Sequence, residues 1–213
     1  MKNGIFYGVV TVLLAVLLTS CCTTPPQESH NVNLYPQHRD WWCWAACTEM
    51  LSDYEGHRVQ QCDSANFVHG TPPNCCTGCT GVCPCWGAAW GATIADIQNN
   101  WTHWNFTYQY VASSLSWDEL KKTLSQRPFC RKSPIYAVVG SHVVVVTAYA
   151  DIRLAAQHLK IVYYNDPWPP DCQGGYGNQC WPGAGGEARV NTYDGFKAWP
   201  WWASFHSFQY AGP

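Results

Sequence analysis

With 213 residues the chain has room for one domain of ordinary size and enough interior for a real core. Its 12 basic and 14 acidic residues give a net charge of -2, which argues against nucleic acid or an anionic membrane surface as the main partner. Thirteen Cys far exceed cytosolic usage, where thiols stay reduced, and fit an oxidising compartment; 13 Trp are an unusually large aromatic load.

Met1-Lys2-Asn3 is a short, weakly basic start, and Ile5 to Leu18 is an almost unbroken apolar run. At 14 residues the run is short for a membrane span and suits the core of a signal peptide. It ends in Leu18-Thr19-Ser20-Cys21, which resembles the lipobox of bacterial lipoproteins. That resemblance implies removal of residues 1–20 and acylation of Cys21, and two or more acyl chains are enough for stable anchoring. Cys22 stands where an Asp typically retains lipoproteins at the inner membrane, so the expected place is the cell envelope at the outer membrane, facing the periplasm or the outside. Residues 21–31 read as a lipidated, flexible tether, and 32–213 as the folded domain, expected to be a monomer.

Within that domain Trp44 to Leu51 favours a helix that Gly56 would stop, and Gln60 to His69 reads as a second. Gly70 to Gly87 is a Cys-, Gly-, Pro- and Thr-rich loop, and Thr93 to Asn99 a short helix. Ser116-Trp117-Asp118-Glu119 has the form of a capping box opening a helix to about Ser125. The pattern then changes: Ile135–Val139, Val143–Tyr149 and Leu159–Tyr164 are β-branched and aromatic runs, and Arg189–Asn191 is a further strand candidate. Helices first and strands later predict an α+β fold.

The most informative segment is Gln37-His38-Arg39-Asp40-Trp41-Trp42-Cys43-Trp44-Ala45-Ala46. Cys43 stands where loop chemistry gives way to helix formers. At a helix N-terminus the partial positive charge favours the thiolate, the nucleophilic form. Gln37, six residues earlier, can fold back to place its amide beside the thiol and, with the Cys43 backbone N–H, form an oxyanion hole. A Cys before a helix is commonly structural; the combination with Gln37 and Trp44 singles this one out. Of eight His, only His142 leads directly into a strand, Val143-Val144-Val145-Val146. The next strand ends in Tyr164-Asn165-Asp166-Pro167-Trp168, with two adjacent candidates to orient an imidazole.

Gln37, Cys43 and Trp44, in type and spacing, resemble the active-site motif of the papain-like cysteine peptidases. The resemblance runs from about Leu34 to Trp168. It implies a helical N-terminal half packed against a C-terminal antiparallel sheet, with a cleft between them. It also implies a catalytic set of Cys43, His142, Gln37 and a third triad member, acting on a protein or peptide substrate without cofactor or metal. Papain uses Asn at the third position; compact relatives, including the double-glycine-leader peptidases, use Asp in an Asp-Pro pair. Asp166-Pro167 therefore points to Asp166, with Asn165 as the alternative. The 99 residues between Cys43 and His142 fall short of the roughly 130–150 of classical papains and point to the same compact branch. Trp168 could shield the His–Asp pair from water.

Ten cysteines remain besides Cys21, Cys22 and Cys43: Cys47, Cys62, Cys75, Cys76, Cys79, Cys83, Cys85, Cys130, Cys172 and Cys180. An even number in an exported domain suits up to five disulfides, Cys172–Cys180 being the easiest pair to propose; the alternative for Cys75–Cys85 is a zinc site. Cys47, one turn along from Cys43, should be buried beneath it. Two other functional readings compete: an amidase or acyl transferase of the murein amidase or transglutaminase type, and a module with a dead or vestigial site that holds peptide or glycan on its Trp-rich surface. The intact Gln, Cys, His and Asp set speaks against the second.

Overall fold

The computed structural model describes residues 25–70, 75, 76, 85, 91–125, 133–168 and 185–212. The signal segment, Cys21, Cys22, Cys79, Cys83, Cys130 and the Cys172–Cys180 pair lie outside the described residues.

In chain order the elements are β1 (Gln27–Ser29), α1 (Cys43–Tyr54), α2 (Gln61–His69), α3 (Ile94–His103), β2 (Phe106–Val111), α4 (Trp117–Ser125), β3 (Ile135–Val139), β4 (His142–Leu154), β5 (Gln157–Asp166), β6 (Glu187–Thr192), α5 (Tyr193–Ala198) and β7 (Trp201–Tyr210). The expected helices and strands are all present, most of them longer than local sequence suggested. α1 ends where Gly56 takes φ +82. α3 begins at a capping box, Thr93 with Asp96, and α4 at the Ser116–Glu119 box, where Glu119 N–H donates to Ser116 Oγ at 3.3 Å and Ser116 N–H to Glu119 Oε2 at 2.8 Å.

The strands form one antiparallel sheet in the order β2-β7-β3-β4-β5-β6. β1 pairs with β4 at Ala148–Ala150, beyond the end of β3 on the same edge. This corrects the reading of residues 21–31 as a flexible tether: Gln27–Ser29 belongs to the sheet, and His30 N–H donates to Thr147 C=O at 2.9 Å.

α1, α2 and α3 cover one face. There Met50, Leu51, Ile97 and Trp101 pack against Tyr136, Val138, Val143, Val145, Phe205 and Phe208. α4 and α5 cover the other face, where Leu120, Leu124 and Phe196 meet Ile135, Val144, Val146 and Tyr164. The expected α+β fold is present, with the N-terminal helices packed on an antiparallel sheet; α4 and α5 add a layer on the other face, and β3, buried at all five positions, runs through the middle. Each large side chain removed from water contributes about 1.5–3 kcal/mol. The tryptophans divide accordingly: Trp42, Trp44 and Trp101 are fully buried, while Trp41, Trp168 and Trp202 stay exposed.

Candidate active site

The start of α1 is set by the turn before it. Trp42 N–H donates to Arg39 C=O at 3.3 Å, closing a tight turn in which Trp41 takes φ +63. That third turn position is one that glycine ordinarily fills, and a bulky aromatic there stores about 1–3 kcal/mol of backbone strain. The helix then begins at Cys43. Its N-cap, Trp42, offers no side-chain acceptor to the first N–H groups of α1. Cys43 is only 6 % exposed and joins the core cluster, yet it lines the cleft.

His142 is delivered from the sheet. β3 and β4 are joined by the two-residue loop Gly140-Ser141, with φ +62 at Gly140, the geometry that suits a tight hairpin. The loop is pinned on both sides: Gly140 N–H donates to Pro200 C=O and Trp202 Nε1–H donates to Gly140 C=O, both at 2.8 Å. His142 is thus the first residue of β4. Because β4 and β5 are antiparallel, it lies beside the last residue of β5, Asp166.

His142 Nε2 and Asp166 Oδ1 are 2.7 Å apart. With that nitrogen committed, Nδ1 is the one left for the Cys43 thiol, which also hydrogen-bonds the ring. Burial alone would push the imidazole pKa down. The hydrogen bonds from Asp166 and Cys43, and the charge of both, outweigh it and raise the value from 6.5 to about 9.

Asp166 is buried and multiply held. Its Oδ1 also accepts the Trp168 backbone N–H at 2.9 Å, and its Oδ2 faces Arg189 Nε at 3.2 Å. Arg189 had no assigned role in the sequence; alternation along β6 brings it to the face of β5 that carries Asp166. Asn165 points to the opposite face, where its Nδ2–H donates to Val32 C=O at 3.0 Å and ties the N-terminal segment to the sheet. Of the two adjacent candidates, only Asp166 reaches His142.

Gln37 is 1 % exposed and lines the same pocket, of about 230 Å³, with Asp40, Trp41, Cys43, His142 and Trp168. Its backbone N–H donates to Pro167 C=O at 3.0 Å and one side-chain N–H to Arg39 C=O at 2.9 Å. That bond leaves the second amide N–H unused, and the amide oxygen Oε1 has no hydrogen-bond partner among the described residues. Trp168 is 46 % exposed and stands beside His142 as a wall of the cleft, not as core. On the other side of Cys43 a second, mostly apolar pocket of about 310 Å³ is walled by Trp41, Ile94, Val138, Val143 and Trp202.

Cys47 is fully buried beneath Cys43, its thiol donating to Val143 C=O at 3.4 Å, and burial pushes its pKa well up. It is a free thiol, which removes it from the disulfide set. The bonds among the described residues are Cys62–Cys76 and Cys75–Cys85, so three cysteines of the Cys-rich loop are committed to disulfides.

A search among curated proteins finds no match. Among solved structures, the peptidase domain of Streptococcus ComA, a bi-functional ABC transporter involved in a quorum sensing pathway, aligns at 12 % identity and a TM-score of 0.46. That alignment covers 83 % of this chain and 98 % of that one. The model of the Peptidase_C39 like family matches residues 29–188, a span that contains Gln37, Cys43, His142 and Asp166. The chain belongs to the Peptidase_C39 like family.

Proposed function

We propose that the protein is an exported, lipid-anchored cysteine peptidase of the cell envelope, in which Cys43 is the nucleophile, His142 the acid and base, Asp166 the orienting carboxylate and Gln37 an oxyanion donor. The observation that carries this reading is the position of His142, held at 2.7 Å by Asp166 on one ring nitrogen and hydrogen-bonded to Cys43 at the helix N-terminus. Membership in a cysteine peptidase family supports it.

At neutral pH an imidazole with a pKa of about 9 carries its proton, and its charge stabilises a thiolate at Cys43. The thiolate Sγ attacks the peptide carbonyl carbon and pushes the π-electrons onto oxygen. The Cys43 backbone N–H and the free amide N–H of Gln37 meet that oxyanion. The intermediate collapses as the C–N bond breaks, and His142 Nδ1–H gives its proton to the leaving amine. His142, now neutral, takes a proton from water, whose oxygen displaces Sγ from the thioester and releases the acid. Asp166 holds Nε2–H throughout, so that Nδ1 is the nitrogen that exchanges protons.

The test is labelling with a thiol-directed epoxide. A working site reacts at Cys43 alone, and Cys43→Ala abolishes both labelling and hydrolysis of a peptide library, a loss of at least about 10⁴-fold. Hydrolysis that survives in Cys43→Ala overturns the assignment. Fatty-acid labelling of wild type against Cys21→Ser tests the anchor separately.

A further inference from the structure

β4 and β5 continue past the layers that cover the rest of the sheet. Directly opposite residues share a face, so Ile152 and Leu159 stand side by side, with Leu154 two positions along β4 on the same side. They are 42 %, 37 % and 58 % exposed. Tyr163 and Val190, opposite one another across β5 and β6, continue that face. Five of the ten exposed large apolar side chains among the described residues thus share one sheet face, which marks it as a contact surface.

The direction in which the chain leaves the sheet says what that surface meets. β1 is antiparallel to β4, so the chain read back towards its N-terminus travels towards the tip of the β4–β5 hairpin. Asp151 N–H donates to Pro26 C=O at 2.7 Å and Tyr149 OH to Pro25 C=O at 2.6 Å, which fixes residue 25 beside the hairpin. Cys21 is four residues further, at most about 14 Å of extended chain. Any membrane attachment at Cys21, or at the apolar run that precedes it, holds the bilayer at the hairpin end. Arg153, on the other face of the hairpin and largely exposed, is placed to meet headgroup phosphates.

We propose that the tip of the β4–β5 hairpin, through Ile152, Leu154 and Leu159, docks into the interfacial layer of the bilayer that anchors the N-terminus. This rests on the anchored reading above. Apolar contact of this kind needs no net positive charge on the domain, because the anchor supplies the proximity.

The test uses the full chain, isolated from cells fed a labelled fatty acid. It is reconstituted in vesicles of phosphatidylethanolamine and phosphatidylglycerol that carry a photoactivatable acyl-chain phospholipid. Lipid adducts are expected on the 150–160 segment, and to fall about tenfold or more in an Ile152→Ser, Leu154→Ser, Leu159→Ser variant that still hydrolyses a small soluble peptide. Adducts no more frequent there than around Phe67, an exposed apolar residue of α2, overturn the docking while a labelled, membrane-bound chain leaves the anchor standing. A chain that carries no label and stays out of the membrane fraction overturns both.

Discussion

The ladder between β4 and β5 carries a His–Asp pair at each end. At one end His142 meets Asp166; at the other His158 meets Asp151. In both pairs the carboxylate is nearly buried and the imidazole more exposed. Burial alone would raise the Asp151 pKa, but hydrogen bonds from Lys121, His158 and Trp117 outweigh it and hold the carboxyl well below the usual range. Lys121 Nζ is 2.9 Å from Asp151 and Trp117 Nε1 3.2 Å, so that carboxylate is satisfied as a structural ion cluster tying α4 to the sheet. Asp166 also has a cation beside it, Arg189, but its hydrogen bonds go to one imidazole and one backbone N–H, and the two free thiols among the described residues lie at its end of β4. A His–Asp pair therefore says little by itself. A thiol hydrogen-bonded to the ring and an open cleft make the difference.

Exchanging each carboxylate for its amide breaks that comparison most sharply. Asp166→Asn is expected to lower kcat by about 10³-fold or more, because an amide oxygen can still accept Nε2–H but no longer carries the charge that helps to keep the imidazole protonated. Asp151→Asn is expected to leave kcat unchanged and to cost about 1–3 kcal/mol in urea unfolding, because Lys121 loses its buried partner. Equal effects on turnover would dissolve the distinction. Gln37→Ala comes next, with a loss of about 10²–10³ in kcat at nearly constant KM, read by steady-state kinetics.

A pH series sharpens the same contrast. The folded pKa of His142 is raised, so its contribution to stability is complete below the unfolded value near 6.5 and is lost as pH rises through about 9. Turnover should fall about tenfold per unit above that pH as the imidazolium is lost. Asp151 has a lowered pKa. Its contribution is present above the ordinary carboxylate range and is lost as pH falls below it, measured as Tm against pH. The smallest expected effect is that of Arg189→Met. Removal of a half-exposed ion-pair partner from Asp166 should cost about 0.5–1 kcal/mol, a few-fold in kcat, with KM unmoved.

Cys43, His142 and Asp166 were legible because each sits at a boundary that local chemistry writes: a loop giving way to helix formers, a Gly-Ser turn before a valine run, a strand closing at Asp-Pro. Arg189 was not legible. It lies four residues from the start of α5 on an edge strand with mixed exposure, and its partner is 23 residues away in sequence. β1 is three polar residues with no strand pattern of its own, and it forms because β4 outruns β3 and leaves an edge to pair with. β7 hides for the opposite reason: Ala203–His206 is buried on both faces, so the alternation that signals a strand is absent. The third layer follows from packing partners far apart in sequence, Phe196 with Tyr164 among them, which helix and strand patterns do not name.

The place of β7 between β2 and β3 has a consequence for how the protein comes to be made. The strand that joins the two parts of the sheet, Trp201–Tyr210, follows all the other described elements in chain order. Cys43, His142 and Asp166 have all emerged by then, yet until β7 arrives Tyr136 and Val138 lack their neighbours Phe205 and Ala203, and Trp202 cannot pin the turn that precedes His142. A nascent chain thus carries Cys43, His142 and Asp166 before it has the strand that flanks β3 and pins the turn ahead of His142.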